Sequence, residues 1–157
     1  MSVIALADLR KHLAPGQRLL GLDLGEKTIG LALSDILLTV ATPYETLKRG
    51  KFTADAERIA TIAVKEGAGG LVVGLPLNMD GSHGPPAQSA RAFARNFAAQ
   101  SKLPIVLWDE RLSTAAVQRD MIAADTSRKR RADSVDKVAA AYILQGALEA
   151  LRNLPPP

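Results

Sequence analysis

Arg18-Leu-Leu-Gly-Leu-Asp-Leu-Gly-Glu-Lys-Thr-Ile-Gly-Leu-Ala-Leu33 is the stretch on which the fold turns. Its two halves, residues 18–24 and 29–33, are short, apolar and strand-like. Gly25-Glu-Lys-Thr28 between them has the make-up of a tight turn, so the pair predicts an antiparallel hairpin. Residues 37–42 predict a third strand, ended by Pro43. One polar residue breaks the first half. Asp is disfavoured in strands, and burying a carboxylate without a partner costs several kcal/mol. Asp23 therefore reads either as a carboxylate hydrogen-bonded at the frayed end of its strand or as a ligand for a cation. Gly21 and Gly25, two residues to either side, leave room for a phosphate-bearing ligand near the backbone.

Downstream the period changes. Ala56, Ile59, Ala60, Ala63 and Val64 recur at helical spacing within residues 53–66, and Gly67, Gly69 and Gly70 stop the helix. Leu71-Val-Val-Gly-Leu75 does not alternate, as expected of a strand covered on both faces. Residues 76–86 hold three Pro and two Gly and predict a loop. A helix over residues 87–99 follows, then a strand over 104–108, a helix capped by Ser113 or Thr114 to about residue 124, and a polar, basic segment over 125–133. The last helix is expected over 134–151, with Val135, Val138, Ala139, Tyr142, Leu148 and Leu151 inward. Ahead of the hairpin, Ser2 is positioned to cap a short helix with Val3, Leu6, Leu9 and Leu13 on one side. The pattern predicts a single α/β domain, a mixed five-stranded sheet flanked by helices. Residues 1–16 form an extension and 155–157 a tail.

Composition narrows the chemistry. The chain has 157 residues, no Cys and two His, which excludes disulfides, thiolate zinc sites, a cysteine nucleophile and a His-rich metal site. A net charge of +4 permits a nucleic-acid partner without requiring one. No apolar run reaches the ~18 residues of a membrane span, and residues 1–20 lack a signal-peptide layout, so a cytoplasmic protein is expected.

Three carboxylates lie beside element ends: Asp23, Glu110 in Asp109-Glu-Arg111, and Asp136 near the start of the last helix. Asp133 there is expected to cap that helix. Each acid alone has a bland explanation: a frayed strand end, a solvated charge triplet, a helix N-terminus that favours acids. Together they make an all-oxygen set suited to hard cations such as Mg²⁺ or Mn²⁺. Two such ions ~3.5–4 Å apart stabilise the attacking and leaving oxygens of a phosphodiester displacement. Lys27, Arg111, Arg128, Lys129, Arg130, Arg131 and Lys137 are candidate phosphate contacts. The run at 128–131 would otherwise be an ordinary solvated loop.

Four ordered motifs carry a resemblance: Gly21–Gly25 with Gly30–Asp35, Val73–Ser82, Asp109–Thr114, and Asp136–Ala140 with Ile143–Gln145. Over residues 17–150 the chain resembles the YqgF/RuvX family, bacterial proteins described as Holliday-junction resolvases and as pre-16S ribosomal RNA nucleases. The resemblance implies a ribonuclease-H-like fold. It implies that Asp23, Glu110 and Asp136 are the metal-binding catalytic acids, with Mg²⁺ or Mn²⁺ as cofactor. It also implies that the 74–82 loop shapes the cleft, with Asn78 and Ser82 as phosphate or base contacts. That loop reads equally well as a turn needing Gly and Pro for backbone reasons. The leading expectation is a metal-dependent nuclease acting in 5′-end maturation of pre-16S ribosomal RNA, with ribosome-assembly factors as candidate partners. Alternatives are a resolvase of branched DNA, which would be a dimer, a non-catalytic RNA-binding protein, and an actin-like ATP-binding phosphotransferase. Chain length disfavours the last, because that architecture needs two such domains. Monomer and dimer stay open.

Overall fold

A computed structural model describes residues 3–112 and 128–155, with side chains of the second stretch from residue 136 onward. Its strands are β1 (Val3–Ile4), β2 (Arg18–Leu24), β3 (Thr28–Ser34), β4 (Ala41–Lys48), β5 (Ala68–Leu75) and β6 (Ile105–Asp109). They form one sheet in the order β1-β6-β5-β2-β3-β4. The meander β2-β3-β4 is antiparallel, whereas β1, β6, β5 and β2 run parallel. The helices α1 (Phe52–Glu66) and α2 (Pro85–Gln100) cover one face; α3 (Arg128–Arg152) covers the other. This is the expected mixed sheet flanked by helices, with a sixth strand added at one edge.

Alternation in β2 explains both layers. Leu20 and Leu22 enter the core under α1 and α2, while Leu19 joins the core under α3. Gly21 and Asp23 therefore share the α3 face. The same face is floored by glycine elsewhere: a Cβ at Gly21 would lie 2.8 Å from Leu144 Cβ, one at Gly74 2.6 Å from Ile143 Cδ1, and one at Gly30 would overlap the main-chain carbonyl of Asp136. The sheet thus admits α3 at backbone-to-backbone range, and the small residues Ala139, Ala140, Ala141 and Ala147 are buried along it.

Several local expectations need correction. Residues 3 and 4 pair in parallel with Ile105 and Val106 instead of opening a helix; a β-branched pair suits an edge strand, and the helix shrinks to a 3-10 segment, Leu6–His12. The third strand runs through Pro43 to Lys48. Pro43 is tolerated there because β4 is an edge strand with a register shift beside that position. Residues 36–40 instead form its turn. Asp35 Oδ1 accepts N–H bonds from Thr39 and Val40 at 2.7 and 2.9 Å, and Oδ2 accepts the Thr39 hydroxyl at 2.6 Å. The hydroxyl first, then the Val40 N–H, hold the Asp35 pKa down at about 2. Leu38 takes a positive φ of 58° within that turn.

Val64, expected inside, is 84% exposed. The inner face of α3 is turned toward Ala140, Ile143, Leu144 and Ala147, leaving Val138 and Tyr142 half-buried. This helix also starts at Arg128, so residues 128–131 lie in its first turns and not in a loop, and Asp133 is inside it and not its cap. The strong helix formers Arg, Lys and Ala extend it past the Asp-Ser signal. The helix expected from Ser113 or Thr114 and the side chains of Val135, Arg128, Lys129, Arg130 and Arg131 lie outside the described residues. Among the described residues no helix is long and apolar enough to cross a membrane.

Candidate active site at the glycine-floored end of the sheet

Asp23 is the penultimate residue of β2 and is buried. On one side its partner across the antiparallel pair is Gly30; on the other, one step beyond the Leu22–Val73 pair, it lies level with Gly74. Glu110 begins the 3-10 turn Glu110–Leu112 directly after β6 and is 7% exposed. Its Cγ and Cδ sit 3.4 Å from where a Gly74 Cβ would be. Asp136 lies over Gly30 on α3. The order across three adjacent strands is therefore Asp136 above Gly30, Asp23 between, and Glu110 beside Gly74. At ~4.8 Å between strands, this row spans about 10 Å. The backbone brings the three acids to one end of one face. As the side chains stand, no three His, Asp or Glu among the described residues are drawn together closely enough to clasp an ion. The set is juxtaposed by the sheet and helix, not locked by its own side chains.

Asp136 is held by a group the sequence reading passed over. The Thr28 hydroxyl donates to Asp136 Oδ2, and Gly25 packs against the same turn, where a Cβ would stand 3.0 Å from Thr28 O. The turn bearing Thr28 is itself pinned. Gly25 N–H donates to Thr28 O at 2.8 Å. Arg49, just beyond β4, donates its backbone N–H to Lys27 O at 2.8 Å and Nη1 to Gly25 O at 2.7 Å, with Nη2 reaching Ser89 on α2 at 3.2 Å. Nothing in the sequence marked Arg49; a lone Arg after a strand has no local signature. Lys27 is exposed at the tip of this turn, and Lys137 is half-exposed beside Asp136.

The other expected contacts are engaged in holding loops. Asn78 Nδ2 donates to Ser82 Oγ at 2.9 Å, Ser82 Oγ to Asp80 Oδ1 at 2.6 Å, and Gly81 N–H to Asn78 O at 2.8 Å. The Ser82 hydroxyl and N–H keep the Asp80 carboxyl below its ordinary value. Gly81 has a φ of 87°, so the glycine serves the turn. Arg111 grips Asp109 through Nε and Nη2, the latter at 2.8 Å, and extends Nη1 to Met79 O at 3.3 Å. It straps the 76–84 loop to the turn carrying Glu110. That ion pair lowers the Asp109 pKa and raises that of Arg111.

A hairpin continued by parallel strands, with a long helix laid across the face that carries Asp23, is the ribonuclease-H-like architecture. Thermus thermophilus RuvC, solved in complex with a Holliday junction, shares it at a TM-score of 0.53 and 15% identity, over 87% of this chain and 96% of that one. Residues 17–150 match RuvX, the family described as Holliday junction resolvase, and the chain belongs to that family. Its enzymatic class is accordingly a nuclease, a hydrolase of phosphodiester bonds. A protein of Paramagnetospirillum magneticum named "Putative pre-16S rRNA nuclease" is 59% identical over 95% of this chain and 96% of its own. A Roseobacter denitrificans protein with the same name is 60% identical over 93% and 91%.

Proposed function

We propose that the chain cleaves precursor ribosomal RNA in a divalent-metal-dependent reaction, maturing the 5′ end of 16S ribosomal RNA, with Asp23, Glu110 and Asp136 as the catalytic acids. The observation that carries this reading is the row of acids at the glycine-floored end of the sheet. The names of the two relatives support the choice of substrate. All candidate ligands are carboxylate oxygens, which suits Mg²⁺ or Mn²⁺, and two of the three are buried. When bound, the cation supplies Lewis acidity toward the phosphodiester and neutralises charge on it. The protein's part is positional. Thr28 fixes one oxygen of Asp136 and so orients the other. Gly30 and Gly74 set the heights of Asp136 and Glu110 above the sheet. Arg49 keeps the Thr28 turn from drifting. Lys27, Lys137 and the run Arg128–Arg131 attract the polyanion and offset the acids' repulsion of phosphate. Asn78, Ser82 and Arg111 shape the cleft wall from the loop side.

Thr28→Val keeps the shape and removes the hydroxyl. We expect cleavage to fall about 10–100-fold, the usual cost of losing a partner that orients a ligand, with Thr28→Ser restoring most of it. Parallel kinetics and thermal melts separate this from a folding defect.

The direct test offers purified protein precursor 16S ribosomal RNA and a four-way DNA junction side by side, with Mn²⁺ and with a chelator. Cleavage of the RNA that is lost with the chelator is expected. Cleavage of the junction alone would move the activity to branched DNA, and metal-independent cleavage would discard the role given to the three acids.

A further inference from the structure

Between the 3-10 turn after β6 and the outer flank of α3 is a cleft of about 640 Å³. Trp108, Arg111, Leu112, Tyr142, Gln145 and Glu149 line it, with two small residues of α3 among them. Three features point to its occupant. First, aromatic and apolar side chains reach the surface here among polar ones: Leu112 is 69% exposed and Tyr142 half-buried. Second, Trp108 is only 8% exposed, yet its indole N–H finds no acceptor among the described residues. Buried donors are nearly always paired, so an unpaired one at a cleft wall calls for an explanation. Third, polar groups share the lining. Arg111 brings its guanidinium, which keeps N–H groups beyond those given to Asp109 and Met79. Glu149 offers an exposed carboxylate. Gln145 is tied to the β4 turn, its Nε2 donating to Thr39 O and its Oε1 accepting the Ala41 N–H.

The cleft also adjoins the acids. Trp108 pairs with Gly74 across β5 and β6, and Glu110 stands between Trp108 and Arg111 in the chain. A cleft that carries aromatic rings and a guanidinium beside the candidate catalytic acids fits one repeating chemistry, a planar base carrying its own phosphate. We propose that this cleft seats an unpaired nucleotide of the substrate strand, base against Trp108 and Tyr142 and phosphate toward Arg111. Paired bases are stacked inside their own helix and do not enter, so the cleft selects single-stranded character beside the scissile bond. This inference rests on the nuclease reading above.

Trp108 is the only tryptophan of the chain, so its emission reports on the cleft alone. The probe is an end-labelled single-stranded RNA of about 12 nucleotides and its blunt duplex, titrated in chelator to prevent cleavage. Label anisotropy reports binding anywhere on the protein, and tryptophan emission reports occupation of the cleft. With the single strand both signals are expected to move together; with the duplex, anisotropy alone. Tyr142→Ala should weaken single-strand binding about tenfold and leave duplex binding unchanged. Leu112→Ser, at an exposed position, serves as a second variant with the same expected direction. Silent emission while single-strand anisotropy saturates, or equal losses for strand and duplex, would discard the cleft and leave the nuclease reading standing. Failure of both RNAs to bind would remove both.

Discussion

Asp23→Asn is expected to abolish cleavage while binding of precursor RNA holds or tightens. The substitution keeps the side chain's shape and removes its charge, so it separates ligand chemistry from packing. Loss of a partner that merely orients a ligand costs about 10–100-fold; loss of a ligand itself should exceed that, by more than about a hundredfold. Binding moves the other way because a negative charge facing phosphate is gone. Single-turnover cleavage beside a filter-binding titration checks both halves. Wild-type activity in a preparation free of contaminating nuclease would remove Asp23 from the chemistry, and with it the proposed cation set.

Gly30→Ala is expected to be the most damaging single methyl group that can be added to this chain. Its Cβ would overlap the Asp136 carbonyl, with Lys137 N 2.7 Å away. Helix α3 must lift, opening its contacts with β2, β3 and β4. Overpacking usually costs 1–3 kcal/mol, and more where the obstacle cannot turn aside; about 3 kcal/mol is a fair expectation here. For a chain of this size that lowers the melting temperature by roughly 6–12 °C. Activity should vanish even below the transition, since lifting α3 carries Asp136 away from Asp23. A thermal melt within 2 °C of wild type, about half a kcal/mol, would show that α3 does not lie on Gly30.

Much of this was legible in the chain. The hairpin at residues 18–33, both central parallel strands and α1 and α2 follow from period and from glycine stops, and their bounds moved by only a few residues. Three kinds of feature were not legible. Pro43 signalled a strand's end because sequence does not reveal that β4 is an edge. The start of α3 was put near Asp133 because a capping signal is local, whereas extension to Arg128 is carried by the propensity of the residues before it. Asp35 was given no role of its own, though its carboxylate builds the turn that follows. At the site, the acids stood out because carboxylates at strand and helix ends are chemically conspicuous. Thr28 and Arg49 did not, since a hydroxyl or guanidinium takes its meaning from a partner 108 or 24 residues away.

The contact of Gly30 with the main chain of α3 also limits how this protein can diverge. Where two side chains meet, an enlarged one can be accommodated by trimming the other, and sequences drift along such paired changes. Peptide opposed to peptide offers nothing to trim. A side chain at residue 30 therefore has no compensating trim on α3, whatever substitutions are made in the hydrophobic layers around it.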